Sequence, residues 1–327
     1  MPRLLLTSIL LLAAALFSPL LFLPRTAEPS ALPTPAPAEE TAPPHAVTDA
    51  GTALAVLGPD GVFDTDMEGY LVGAVAAEMP AAFHAEALQA QAVAIRTYIL
   101  RACRMGNPTH PQADVCTDPG CCTAWLDEPA LREKWGDAFE ENFARVYAAV
   151  CGTDGQYLSY EGQPVQAVFH ASSAGRTEDS AGVWSAVPYL VSVSSPETEE
   201  NVKNLKTTVS LAPEQMRTLV LEKRPEAEFS PEPADWLGEL VLTDTGRVAE
   251  LTLCSETFTG TQLRACLGLR STDFDAVYDG KNFVFTVRGY GHGVGMSQQG
   301  ANLLAQSGMG WREILEHYYP GTELVSP

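Results

Sequence analysis

Basic side chains are scarce in this 327-residue sequence: Lys and Arg number 20 against 41 Asp and Glu, a formal net charge of −21. That balance argues against a nucleic-acid partner, which needs a basic face. It also means that an anionic ligand must be held by local arginines on a molecule that repels it overall. No internal repeat is visible, and strands and helices do not alternate in a βαβ rhythm, which leaves the α+β class. Charge is missing altogether from Leu4 to Leu23, a stretch of Leu, Ile, Ala and Phe with Arg3 before it and Arg25 after it. A run of about 20 apolar residues spans a bilayer as a helix, whereas the apolar core of a cleaved secretory signal is about 7–15 residues long. The length favours an uncleaved single-pass transmembrane anchor over residues 1–25, and either reading carries the rest of the chain across the membrane. Large apolar side chains are scarce next: residues 26–51 hold Pro29, Pro33, Pro35, Pro37, Pro43 and Pro44 among mostly small and polar residues, as in an extended tether.

The folded region is expected over residues 52–327, with a subdomain at about 200–280. Ala53–Leu57 and Val62–Phe63 read as strands around a Gly58-Pro59-Asp60-Gly61 turn. Thr65-x-x-Glu68 reads as a capping box opening a helix at Met67 that ends before Pro80. A second helix is predicted from His84 to Ala102, with Leu88, Ala92, Ile95 and Ile99 as its buried stripe. Glu78 thus falls at a helix–helix junction, where side chains often face a cleft. Phe139–Val150 reads as a third helix, and Tyr157–Tyr160 with Val165–His170 as a hairpin. Further hairpins are predicted for Leu240–Leu253 and Val277–Val287, and closing helices near Ser297–Gln306 and Trp311–Tyr318.

Seven cysteines would suit disulfides in an exported protein, but an odd count leaves at least one unpaired. Cys103 with Cys151, or Cys254 with Cys266, could pair; sequence does not fix connectivity. His110, Cys116 and Cys122, with Cys121 alongside, offer the imidazole and thiolate ligands that zinc prefers, spaced as for a structural loop staple. A Cys116–Cys121 or Cys116–Cys122 disulfide is the alternative, and it leaves His110 without a role.

Unusual residues concentrate in three stretches: Ala77-Glu78-Met79-Pro80 with Ala90–Tyr98; Val168-Phe169-His170-Ala171-Ser172-Ser173-Ala174-Gly175-Arg176-Thr177-Glu178; and Gly289-Tyr290-Gly291-His292-Gly293-Val294-Gly295-Met296-Ser297-Gln298. Together and in this order they resemble the stage II sporulation protein D family, over roughly Ala53 to Glu323. The resemblance implies a lytic transglycosylase that cleaves between N-acetylmuramic acid (MurNAc) and N-acetylglucosamine (GlcNAc), leaving 1,6-anhydro ends on peptide-stripped strands, with Glu78 as the catalytic acid. One carboxyl group suffices if the sugar's own C6 hydroxyl attacks, because the same group can protonate the leaving oxygen and later collect the hydroxyl proton. The resemblance also supports zinc at His110, Cys116 and Cys122. It further implies a stem-peptide amidase and a membrane scaffold of the engulfment machinery as partners, at the septum between mother cell and forespore.

Arg96 and, less directly, Arg176 are candidates for the lactyl carboxylate of muramic acid, with a structural salt bridge as the equal alternative for Arg96. Tyr98, His170, Ser173, Tyr290, His292 and Gln298 complete the expected substrate-binding set. A non-catalytic wall-binding modifier of an autolysin and a zinc-dependent wall peptide hydrolase are the rival functions.

Overall fold

The computed structural model describes residues 48–326. The expected membrane anchor and nearly all of the tether lie outside these residues; among the described residues no helix is long and apolar enough to cross a membrane. The chain joins the fold earlier than Thr52, because the Asp49 carboxylate is buried and paired with Arg96.

Strand β1 (Ala53–Gly58) and β2 (Gly61–Asp66) form an antiparallel hairpin that leads directly into helix α1 (Met67–Glu78). The helix is capped one residue later than the Thr65-x-x-Glu68 pattern suggests: Asp66 accepts from the Gly69 N–H at 2.7 Å, and Glu68 instead accepts from the Tyr147 hydroxyl. Helix α2 (Ala85–Met105) buries the expected Leu88, Ala92, Ile95 and Ile99. It also buries Gln91, Arg96 and Thr97, because other elements pack around it on every side. β3 (Val115–Cys116) runs parallel to β1, and α3 (Glu128–Trp135), capped by Asp127, precedes α4 (Phe139–Cys151). α3 is too short and polar for its periodicity to announce it.

β4 (Tyr157–Tyr160) turns through Glu161-Gly162 into a two-residue β5 (Gln163–Pro164) that lies within the predicted turn, and residues 165–168 of the predicted Val165–His170 return strand are not strand. Its last two residues, β6 (Phe169–His170), belong elsewhere, as described below. A second hydrophobic core follows, around Met216, Val220, Trp236, Leu251, Phe258, Phe274, Phe283 and Phe285. It is built by β7 (Lys206–Leu211), α5 (Pro213–Lys223), β8 (Leu237–Leu242), β9 (Val248–Leu253), β10 (Glu256–Thr259), α6 (Gly260–Leu267), β11 (Asp273–Tyr278) and β12 (Phe283–Arg288). These strands form two antiparallel sheets, ordered β10-β9-β8 and β11-β12-β7. The β8–β9 and β11–β12 hairpins are the two predicted.

β13 (Met296–Ser297) pairs in parallel with β6, placing Met296 opposite Phe169 and Ser297 opposite His170. Helices α7 (Gln298–Gln306) and α8 (Trp311–Tyr318) pack on α2, and β14 (Glu323–Val325) pairs with β4. The architecture is therefore α+β, with the first core assembled around α2.

Candidate active site

The first motif ends α1, the second is β6 and its following turn, and the third is the loop before β13. The β6–β13 pairing brings the last two side by side, opposite the end of α1. Between them lies a cleft of about 470 Å³ whose walls include Glu78, Tyr98, Cys122, Thr123, His170, Arg264, Tyr290, His292 and Gln298.

Glu78 is the last residue of α1, half-buried in the cleft wall. Its Oε1 accepts the Ala124 N–H at 2.9 Å. Burial pushes its pKa above the ordinary 4.5, against weaker opposing effects of that hydrogen bond, the Gln298 amide and the Lys134 ammonium. Lys134 itself donates to the Ala76 carbonyl at 2.8 Å, and burial lowers its pKa. Gln298 sits at the first turn of α7 with its Nε2 buried and without a hydrogen-bond partner within normal limits. Such a group carries an unmet bonding capacity beside Glu78.

His292 is held by a loop in which Gly289, Gly291, Gly293 and Gly295 all have positive φ. All four are also pinned by close approach. A Cβ on Gly291 would lie 2.7 Å from the His170 Cβ, and one on Gly293 would lie 2.6 Å from the Arg247 guanidinium carbon. The Val294 N–H donates to His292 Nδ1 at 3.1 Å, so in the neutral ring Nε2 carries the proton. Burial, with help from Arg264 and Arg247, lowers the His292 pKa to about 4, so the ring is uncharged at neutral pH. His170 Nδ1 faces the Val294 carbonyl at 3.2 Å and Nε2 faces the Ser173 hydroxyl at 2.6 Å. The imidazole therefore donates through Nδ1 and accepts through Nε2, and burial drives its pKa well below normal. Trp184 is 43% exposed and packs edge-on to His292 at 5.4 Å, while Tyr290, 46% exposed, lies under the Arg270 guanidinium at 4.4 Å.

Three of the expected substrate contacts are elsewhere. Arg96 is 0% exposed and its guanidinium is fully committed: Nε reaches Asp49 Oδ1 at 2.7 Å, and the remaining donors face Asp49, Thr153 and the Gln156 and Val150 carbonyls. It is the structural ion pair, not a ligand clamp, because the helix face opposite the stripe is also interior. Arg176 is exposed, donates to Ser192 at 3.1 Å and does not line the cleft. Ser173 is fully buried beneath the floor, where its N–H donates to Glu197 at 2.9 Å. The same Glu197 accepts from the Ser297 hydroxyl, which caps α7, so it fixes the start of the Gln298 helix.

Sequence reading missed Arg247 and Arg264, neither of which belongs to a motif. Arg247, at the β8–β9 hairpin, is buried beneath Gly293 and lies 3.8 Å from Glu178, whose carboxylate also accepts from Thr243 and Thr245. It supports the glycine loop from below.

Next to the cleft, His110, Cys116, Cys121 and Cys122 gather with their ligand atoms all within 4.8 Å of one another. The seven cysteines are all free thiols, so neither the Cys116 disulfides nor the Cys103–Cys151 and Cys254–Cys266 pairings occur in this structure. His110 Nδ1 bonds the Ala113 carbonyl at 3.1 Å, which leaves Nε2 deprotonated and aimed at Cys122 Sγ, 3.3 Å away. That orientation suits a metal-ligating imidazole, and the donor set fits a closed tetrahedral site with Cys121 as a fourth ligand. The cluster is wired to the cleft. Tyr98 donates to the Cys121 carbonyl, Tyr70 to the Cys116 carbonyl, and Ala124, the donor to Glu78, follows Cys122 by two residues.

A family model described as stage II sporulation protein matches residues 60–160. Over 261 residues, covering 79% of this chain and 74% of the relative, the sequence is 35% identical to stage II sporulation protein D of Bacillus amyloliquefaciens. The chain belongs to that family. Its Bacillus subtilis member is 36% identical over 260 residues, with the same shares of both chains. An amidase enhancer of Bacillus subtilis is more distant, 27% identical over 315 residues that cover 78% of this chain and 40% of that one. The family-model match contains Glu78 and the cysteine cluster, whereas the glycine loop and Arg264 fall beyond residue 160.

Proposed function

We propose that this sporulation protein is a peptidoglycan lytic transglycosylase working outside the cytoplasm, tethered by residues 1–25 and reaching the wall through residues 26–51. The observation that carries the reading is Glu78: a partly desolvated carboxyl with a raised pKa in a cleft lined by no other carboxylate among the described residues. Hydrolytic glycosidases pair two carboxylates, one to activate water or to attack carbon. A single carboxyl group suits an intramolecular reaction instead. Glu78 gives its proton to the GlcNAc oxygen as the bond to muramyl C1 breaks. The muramyl C6 oxygen bonds to C1, and its proton returns to Glu78, so that no water is consumed. His292, neutral with its N–H on Nε2, would donate to a sugar oxygen. Tyr290 and Trp184 would offer apolar ring faces to pyranose rings at the mouth.

His110, Cys116, Cys121 and Cys122 are the residues that would hold zinc, supplying a structural cross-link of the loop that carries Ala124. With four protein ligands no position stays open for substrate, which weighs against a zinc peptidase. Kinship with an amidase enhancer favours a second reading, a wall-binding partner of an amidase. By family, a stem-peptide amidase and an engulfment scaffold at the forespore septum are the proposed partners. Mass analysis of fragments released from peptide-stripped wall glycan separates these readings. Wild type should leave anhydromuramic ends and Glu78→Gln none, with a loss of at least about 100-fold. Reducing ends or cut peptides would indicate a hydrolase, and intact strands a binder.

A further inference from the structure

Arg264 is the one arginine on the cleft wall, and nothing in the fold uses it: among the described residues its guanidinium makes no hydrogen bond or ion pair. The other interior arginines contrast with it, since Arg96 is saturated by Asp49 and Arg247 is engaged with Glu178 and Ser173. Arg264 is half-buried on α6, a helix whose placement is tight: Thr259 and Gln262 cap it reciprocally. A Cβ on its first residue, Gly260, would lie 1.9 Å from the Val248 carbonyl. The side chain is thus projected from a fixed helix into the cleft beside Tyr290 and His292.

Its field marks its position. Arg264 acts on both imidazoles, whereas the cation that acts on Glu78 is Lys134. Among the described residues no hydrogen bond or ion pair joins Arg264 to Glu78, whose carboxylate accepts from the Ala124 N–H instead. A guanidinium already stripped of part of its water and left unpaired gains two charge-assisted bonds when a carboxylate arrives, at less desolvation cost than a surface arginine. On a protein of net charge −21 such a site must be local to oppose the overall repulsion.

We propose that Arg264 binds the free lactyl carboxylate of a muramic acid residue, and so selects glycan from which the stem peptide has been removed. The inference rests on the wall-glycan reading above. With the peptide attached that carboxyl is an amide, neutral and unable to accept a bidentate guanidinium pair.

The test uses full-length protein carrying Glu78→Gln, so that ligand is not consumed. Calorimetric titration compares a GlcNAc–MurNAc tetrasaccharide with free carboxylates, the same sugar converted to its methylamide, and a chitin tetramer. The carboxylate form should bind about 10- to 100-fold more tightly than the methylamide. Adding Arg264→Gln should erase that ratio, and Arg264→Lys should keep part of it. Because the ratio is internal, a partly unfolded variant does not imitate the result. A preference that survives Arg264→Gln, or a parent that shows none, overturns the assignment of Arg264 while leaving the transglycosylase reading intact. Absence of binding to every glycan overturns both.

Discussion

Glu78 stands in the cleft wall at a cost to stability. Its pKa is raised in the folded protein, so between pH 4.5 and the folded value the unfolded chain ionises while the folded carboxyl stays protonated. Stability from this group is intact below pH 4.5 and declines as pH rises through that interval. Glu78→Gln should accordingly raise Tm at pH 7, with the gain vanishing by pH 4, in thermal melts across pH. An equal gain at both ends would mean that the carboxyl is not desolvated. The imidazoles act in the opposite sense: with folded pKa values depressed, they favour the fold above their unfolded 6.5 and cost stability as pH falls toward about 4 at His292. Glu78 was singled out in the sequence by the family resemblance; the residues around it gave only a helix junction ahead of Met79-Pro80. The cause of its pKa shift was not legible there, because the Ala124 amide and Gln298 arrive from distant parts of the chain.

At the scale of elements, the cleft depends on supports that do not touch it. The cysteine loop sets Ala124 against Glu78, and the β8–β9 hairpin sets Arg247 under the glycine loop. Metal content should be stoichiometric zinc in protein purified under reducing conditions. A chelator should lower Tm by more than about 5 °C, because binding energy at such a site is folding energy. It should also slow cleavage without removing the acid. Metal-free protein with an unchanged melt would leave the four ligands as ordinary thiols and imidazole. The long helices and both later hairpins were readable, since apolar periodicity and Asp-Gly or Thr-Gly turns are local signals. The β6–β13 pairing was not, because Phe169–His170 and Met296–Ser297 are two-residue strands joined across more than a hundred positions. Nor was α3 or α6, whose short spans carry little pattern.

For the whole molecule, the buried Arg96–Asp49 pair ties the folded region back to Asp49. Truncation of residues 1–47 should leave unfolding by urea unchanged, whereas truncation of residues 1–51 removes Asp49 and strands a buried guanidinium. That loss should cost about 3–5 kcal/mol, and equal midpoints for the two truncations would show the pair to be dispensable. The case also separates two kinds of information. Residue chemistry and local spacing by themselves pointed to the α+β class and to a His and Cys cluster, and the family resemblance singled out Glu78, because caps, periodicities and ligand types are written in adjacent residues. Which arginine faces the cleft was decided only by tertiary structure. Arg96 and Arg264 carry the same side chain, and whether that side chain is neutralised in the interior or left unpaired at the cleft depends on what packs against it from elsewhere in the chain.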